Sequence, residues 1–227
     1  MKPKVKTSAI LLAGGIGQRM HSTTPKQFLV LDQKPVACYS FELFLEMPEI
    51  DEIIVVCLED FRELFNSTHS HKQVSFALPG ERRQDSVFNG LQAASHDLIC
   101  IHDAARPFID KEIVSNALEA GKQYGAAAIG MPVKFTVKEI DPENFVIKTP
   151  DRSNVWEIQT PQVLQRHILT EGFNYANLHK LTVTDDVSLA ELIGKPVKLV
   201  EGSHINLKMT FPNDLTIANH ILKTLKQ

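Results

Sequence analysis

The sequence predicts an α/β fold on a mostly parallel sheet, one domain over residues 1–227 with a β-hairpin arm at 134–156. Three observations carry this. Short, continuously apolar runs recur along the chain, as strands buried on both faces require. Segments with helical periodicity lie between them, the alternation that gives a parallel sheet covered on both sides. Residues 134–156 break the rhythm: apolar and polar residues alternate around the turn signal Asp141-Pro142-Glu143-Asn144.

Taken in order, Ser8–Ala13 reads as the first buried strand. Residues 35–46 read as a helix, with Pro35 in its first turn and Val36, Tyr39, Leu43 and Phe44 on one face. Ile53–Leu58 and Val74–Leu78 are further strands, and Asp85–Ala94 is a helix through Val87, Leu91 and Ala94. Leu98–Ile101 is a strand that runs into His102-Asp103. Asp110 suits the cap of a helix reaching Tyr124. Ala126–Val133 is the next strand, and Pro212-Asn213-Asp214 opens a last helix carrying Leu215, Ala218, Leu222 and Leu225.

Composition narrows the function. Hydrophobic residues make up 43% and charged residues 22% of 227, which excludes a mainly disordered chain. The net charge of -3 argues against a binder of nucleic-acid backbones, which carries a basic excess. Small anions are not excluded, because a few local cations suffice for a phosphate. Cys38, Cys57 and Cys100 form no CxxC pair and read as small buried hydrophobes in a reducing compartment. The nine histidines show no metal-ligand spacing, and His69 and His71 read as solvated loop. Lys2, Lys4 and Lys6 before an apolar run imitate a signal peptide, but the run Ala9–Ala13 is too short for one. No apolar stretch approaches a membrane span, so a cytoplasmic protein is expected, with neither membrane nor nucleic acid as partner.

Several segments can carry chemistry. Leu12-Ala13-Gly14-Gly15-Ile16-Gly17-Gln18-Arg19-Met20, followed by Pro25-Lys26-Gln27, joins a buried strand to a glycine-rich turn with two cations close behind. Glycines there let backbone N–H groups converge on an anion; a plain tight turn is the alternative. The turn has Met20 where the dinucleotide fingerprint has its third glycine, and it is no P-loop. Gly80-Glu81-Arg82-Arg83-Gln84-Asp85-Ser86 sits at a strand-to-helix junction, where a polar ligand edge or an ordinary cap fits. Asp103, in His102-Asp103-Ala104-Ala105-Arg106-Pro107, follows a strand, at the edge where open α/β sheets bind ligands. It suits a hard cation such as Mg²⁺, or simply an ion pair with Arg106. The pair Asp185-Asp186 is either a metal site or a helix start, and Lys208 is either functional or a surface lysine on a late strand.

In this order, these motifs, with Asp151-Arg152, Trp156, Thr160-Pro161-Gln162 and Asn206-Leu207-Lys208, resemble the 2-C-methyl-D-erythritol 4-phosphate cytidylyltransferases, enzymes of isoprenoid-precursor synthesis. The likeness runs from about Ala9 to Leu215. It implies a Rossmann-like, three-layer nucleotidyltransferase fold and transfer of CMP from CTP to methylerythritol phosphate, releasing pyrophosphate, with Mg²⁺ as cofactor. It implies that Arg19 and Lys26 stabilise the transition state, and that Ala13, Gly14, Gly15, Gly80, Glu81 and Ser86 line the CTP site. Asp103 then lies by the metal, Arg152 and Lys208 position the acceptor phosphate, and Arg106, Thr136 and Thr184 add contacts to it. It further implies a homodimer in which Arg152 and Thr136 reach the partner's site on an exchanged arm.

Three departures stand out. Leu12-Ala13-Gly14-Gly15 replaces the usual Pro-Ala-Ala-Gly, Pro79 replaces a glycine, and Phe135 replaces an aspartate before Thr136. The first is more like the ribitol-5-phosphate cytidylyltransferases, which remain the alternative. An NAD(P)-dependent oxidoreductase is a remote one, and a catalytically silent nucleotide-binding regulator another.

Overall fold

The computed structural model describes residues 5–15, 24–65 and 71–225. In chain order the strands are β1 (Thr7–Leu12), β2 (Val30–Leu31), β3 (Lys34–Pro35), β4 (Glu52–Val56), β5 (Gln73–Ala77), β6 (Leu98–Asp103), β7 (Ala126–Pro132), β8 (Glu139–Ile140), β9 (Val146–Lys148), β10 (Trp156–Gln165) and β11 (Lys198–Glu201). The helices are α1 (Val36–Glu46), α2 (Arg83–Ala93), α3 (Lys111–Tyr124), α4 (Arg166–Leu178), α5 (Ser188–Leu192) and α6 (Pro212–Leu225).

Seven strands form the central sheet in the order β11-β7-β10-β6-β1-β4-β5. β10 alone runs antiparallel to both its neighbours; the other ladders are parallel. The apolar runs are continuous because each strand feeds two cores. In β1, Ala9 and Leu11 pack with Phe41 and Phe44 of α1 and with Val114 and Leu118 of α3. Ile10 packs on the other face with Val87 and Leu91 of α2 and with Leu169 and Phe173 of α4. A third cluster, with Leu31, Phe108, Met209 and Ala218, seats α6 near the strand ends. Cys57 and Cys100 are fully buried, and burial pushes their thiols up to about 11 and about 12.

Most expected elements stand, with shifts that have causes. The inward face of α1 is Ala37, Phe41 and Phe44, and Tyr39 is only half-buried, sending its hydroxyl to the Leu31 carbonyl at 2.6 Å. α2 starts two residues early, at Arg83, because Asp85 accepts from the Arg82 N–H at 3.0 Å and closes the first turn. α3 is capped as expected: Asp110 accepts from the Ile113 N–H at 2.8 Å. Asp185, just ahead of α5, accepts from the Ser188 N–H at 3.1 Å, which favours the helix-start reading of Asp185.

The sequence reading lacked β10, α4 and β11. It read 134–156 as a β-hairpin arm; at the base of this segment β7 and β10 pair, Pro132 opposite Trp156. The segment is therefore the enlarged connection of one antiparallel pair. Within it β8 pairs with β9, and the Asp141 carboxylate accepts from the Glu143 and Phe145 N–H groups, building the turn with Asn144 at φ 67°.

Candidate active site

The site forms between β1 and β6, where the order of strands across the sheet reverses. β1 pairs with β4 on one side and β6 on the other, so the loops after β1 and β6 diverge and leave a crevice at the carboxyl ends. Register places Leu12 opposite Asp103. A cleft of about 710 Å³ opens there, lined by Gly14, Gly15, Lys26, Gly80, Glu81 and Ser86 on one side and by Arg83, Asp103 and Lys208 on the other. A larger hollow, about 930 Å³, lies at the opposite end of the sheet beside Ser95, His96 and Arg166 and holds none of these residues.

The glycine loop is tied down by an amide. Gln27 is buried, and its Nε2 donates to the Ala13 and Gly15 carbonyls at 2.6 and 2.8 Å. That explains the spacing between the glycines and Pro25-Lys26-Gln27, and it holds Lys26 at the rim. Ala13 itself is 1% exposed and presents its carbonyl to Gln27, with no side chain in the cleft. The residues from 16 to 23, Arg19 among them, lie outside the described residues.

The glycines differ in purpose. A Cβ on Gly14 would lie 2.3 Å from the Pro79 Cβ. A Cβ on Gly80 would lie 2.4 Å from the Asp85 Cβ and 3.1 Å from the Ser86 nitrogen. Both are glycine because the chain segment 79–80 is squeezed between β1 and the start of α2. A Cβ on Gly15 would meet nothing within 4 Å, so Gly15 is the glycine whose open side faces the cleft. Two departures from the usual family pattern, Gly14 and Pro79, thus meet as one contact. Ser86 closes this junction, accepting from the Gly80 N–H at 3.0 Å and donating to the Arg82 carbonyl at 3.3 Å.

Asp103 is the centre of the other wall. It is 6% exposed, and burial alone would raise its pKa. Arg83, Lys208 and Arg106 outweigh burial and hold the carboxyl far below the ordinary carboxylate range. Arg83 Nε donates to Oδ1 at 3.1 Å, and Lys208 Nζ sits 2.7 Å from Oδ2. Arg106 Nε is 3.8 Å from Oδ2; its firm bond is from Nη1 to the Asn206 carbonyl at 2.8 Å. The expected Asp103–Arg106 pairing is therefore the weakest of the three, and Lys208 is no lysine on a late strand but part of the irregular segment before α6.

Sequence reasoning missed Arg83 as a site residue. Its Nη1 and Nη2 each donate to Asp186 at 2.8 Å, so one guanidinium spans two carboxylates. Burial raises the Asp186 carboxyl even against this fork, while the two carboxylates raise the Arg83 pKa. Asp185 and Asp186 face different partners, Gln162 and Ser188 for the first and Arg83 for the second. Among the described residues, no group of three or more His, Cys, Asp or Glu side chains gathers as a metal cage.

Behind Asp103, His102 is wholly buried. Its Nε2 lies 3.2 Å from the Arg106 carbonyl, which can only accept, so Nε2 carries the proton. Nδ1 then accepts from the Thr160 hydroxyl at 3.0 Å, and that oxygen accepts from the Asp103 N–H at 3.1 Å. With Nε2 protonated, the neutral imidazole satisfies every group in this chain of bonds. Burial pushes the His102 pKa down to about 4. Thr136, Arg152 and Thr184 are exposed and do not line this cleft; the first and second lie on the 134–156 hairpin.

Two outcomes follow from this packing. Gly14→Ala lowers the melting temperature and Pro79→Gly in the same chain restores most of it, whereas Gly15→Ala leaves the melt nearly unchanged; thermal denaturation of these three variants beside the wild type checks this. His102 binds its proton more readily in the unfolded chain, so stability falls as pH drops from about 6.5 to about 4. The loss is about 3 kcal/mol, and urea titrations across that window give a shallower slope for His102→Gln.

Comparison with known proteins agrees with this geometry. The family described as 2-C-methyl-D-erythritol 4-phosphate cytidylyltransferase matches residues 7–224. The chain is 44% identical to the chloroplastic protein of that name from Oryza sativa subsp. japonica over 219 residues, 95% of this chain and 74% of the rice protein. It is 44% identical over 218 residues to the Chlamydia pneumoniae protein of that name, covering 96% of this chain and all of the other. The crystal structure of 4-diphosphocytidyl-2C-methyl-D-erythritol synthase from Anaerococcus prevotii matches with a TM-score of 0.86 at 28% identity, over 97% of this chain and 99% of that one. The cytidylyltransferase of Francisella tularensis matches with a TM-score of 0.80 at 29% identity, over 95% of this chain and 99% of that one. On this sequence similarity and shared fold, the chain belongs to the 2-C-methyl-D-erythritol 4-phosphate cytidylyltransferase family.

Proposed function

We propose that the protein transfers the CMP group of CTP to 2-C-methyl-D-erythritol 4-phosphate, giving CDP-methylerythritol and pyrophosphate. The observation that carries this reading is a cleft with cations on both walls, beside which the one histidine among the described residues near it is already engaged. Lys26 stands at the glycine-loop rim, Arg83 and Lys208 stand opposite, and both nitrogens of His102 are already engaged. This suits the chemistry. An acceptor phosphate oxygen attacks the α-phosphorus of CTP, and the bond to the bridging oxygen of the β-phosphate breaks. A phosphate monoester is ionised near neutral pH, so the attack needs alignment and charge neutralisation, not proton removal.

Position and the family resemblance together suggest the roles, that of Arg19 coming from the resemblance alone. Gly15, open to the cleft, lets a phosphate approach the backbone, and Gly80, Glu81 and Ser86 form the nucleotide side. Lys26 and Arg19 offset charge developing at the α-phosphate. Lys208, with Arg106 behind it, receives the acceptor phosphate. Asp103 fits a divalent cation in the manner Mg²⁺ favours: one carboxylate, with the remaining ligands from substrate phosphates and water, and no all-protein cage. When bound, Mg²⁺ would neutralise phosphate charge and assist departure of pyrophosphate.

The 134–156 hairpin is read as a dimerisation arm that brings Arg152 and Thr136 to the partner's site. Its large apolar side chains support this: Phe135 is 75% exposed, Phe145 72% and Ile147 60%, more than a hairpin left in water needs. No described helix is long and apolar enough to cross a membrane.

Pyrophosphate release with CTP, offered methylerythritol phosphate and ribitol 5-phosphate side by side, tests the reading. Faster turnover of the former is expected; turnover of ribitol phosphate alone, the alternative suggested by Leu12-Ala13-Gly14-Gly15, refutes the assigned acceptor. Lys26→Ala and Arg19→Ala each lower kcat about 10²–10³-fold with folding intact, measured at saturating CTP. Mixing Arg152→Ala chains with Lys208→Ala chains restores activity above either parent, because one site of each mixed dimer keeps both residues. Verified mixed dimers with no gain refute the shared site.

A further inference from the structure

The two oxygens of Asp103 are held in unequal ways. Oδ1 accepts from Arg83 Nε at 3.1 Å, and the rest of that guanidinium is committed to Asp186 at 2.8 Å on both nitrogens. Asp186 is 2% exposed, and its backbone N–H donates to the buried Gln162 amide at 2.8 Å. This half of the network is fixed from three sides. Oδ2 is different. Its partner at 2.7 Å is Lys208 Nζ, on a side chain that is 33% exposed and lines the cleft. Arg106 Nε, at 3.8 Å, does not reach hydrogen-bonding distance, and its guanidinium is anchored on the Asn206 carbonyl.

Among the described residues, Lys208 is thus the one cation in direct contact with Oδ2, and the one whose flexible stem and exposure let it leave. It occupies the oxygen through which Asp103 would ligate a metal. Two cations on one oxygen repel, and repulsion is strong where burial lowers the local dielectric. We infer that Lys208 and a divalent cation exchange at Asp103 Oδ2. Lys208 neutralises the carboxylate in the free protein and swings away when metal arrives with the nucleotide phosphates. The ammonium released in this way points into the cleft and is then available to the second phosphate substrate. The inference rests on the metal reading above and adds a binding cost: metal alone is disfavoured, because it must displace Lys208 without help from phosphate ligands.

Mn²⁺ alone tests this, titrated into the full chain without nucleotide, with free Mn²⁺ read by electron paramagnetic resonance. Lys208→Met is expected to bind Mn²⁺ at least roughly tenfold more tightly than the wild type. Adding Asp103→Asn to Lys208→Met removes that gain. Equal or weaker binding by Lys208→Met overturns the exchange, and so does a gain that survives Asp103→Asn. Lys208→Gln is run beside it, with thermal melts of every variant, and a folded Lys208→Gln without the gain also overturns it. Pyrophosphate release by the wild type separates the two readings. An active wild type with unchanged Mn²⁺ affinity in the variants refutes the exchange alone, whereas an inactive wild type refutes the transferase reading.

Discussion

Burying a carboxylate at the end of a fully buried strand costs several kcal/mol unless cations and N–H donors repay the lost water. β6 does this with Asp103, and much of the cleft is organised around the repayment. Arg83 reaches it from the first turn of α2, Lys208 from the segment before α6, and the Thr160 hydroxyl of β10 accepts from its backbone N–H. Arg83 in turn recruits Asp186, which fixes the approach to α5. Elements far apart in sequence meet because one charge needs them.

Around that charge, three buried glutamine amides do the positioning. Gln27 holds the glycine loop, Gln84 holds residues 181–183 through the Leu181 carbonyl and the Val183 N–H, and Gln162 holds the Asp186 and Val187 N–H groups. Each amide has donor and acceptor ends and can pin irregular backbone without adding net charge. The cations facing the cleft are then the main source of its field. A neutral His102 fits the same scheme: it props the turn at Asp103 while contributing no charge.

The parallel part of the sheet was legible in the sequence because its strands, buried on both faces, need continuous apolar runs, and β1, β4 and β6 have them. β10 was not legible. Gln159, Thr160, Pro161 and Gln162 interrupt its apolar pattern, since this strand supplies polar groups to the site and to the glutamine network. α4 does carry the helical spacing Ile168, Leu169, Gly172, Phe173, Ala176, but it lies beyond the hairpin, where the strand–helix rhythm had already been lost. Of the site, the glycines and Asp103 were readable as chemistry-bearing types at strand ends and Lys26 as a cation soon after the glycines, while the role of Lys208 came only from the family resemblance. Arg83 was not singled out, because a charged residue in a first helical turn looks like any solvated one until a carboxylate from another strand faces it.

The contact between Gly14 and Pro79 constrains how such a pairing could have arisen. In the pattern that the sequence resembles, alanine stands at the first position and glycine at the second. A proline introduced at 79 while alanine still stood at 14 would drive its ring into a methyl group, with 2.3 Å between the two carbons. The opposite order passes through glycine at both sites, a looser and more mobile junction with no overlap. The accessible history therefore runs through loss of the methyl group first and gain of the ring second. Once both changes are in place, return to alanine at 14 is blocked until the ring is gone.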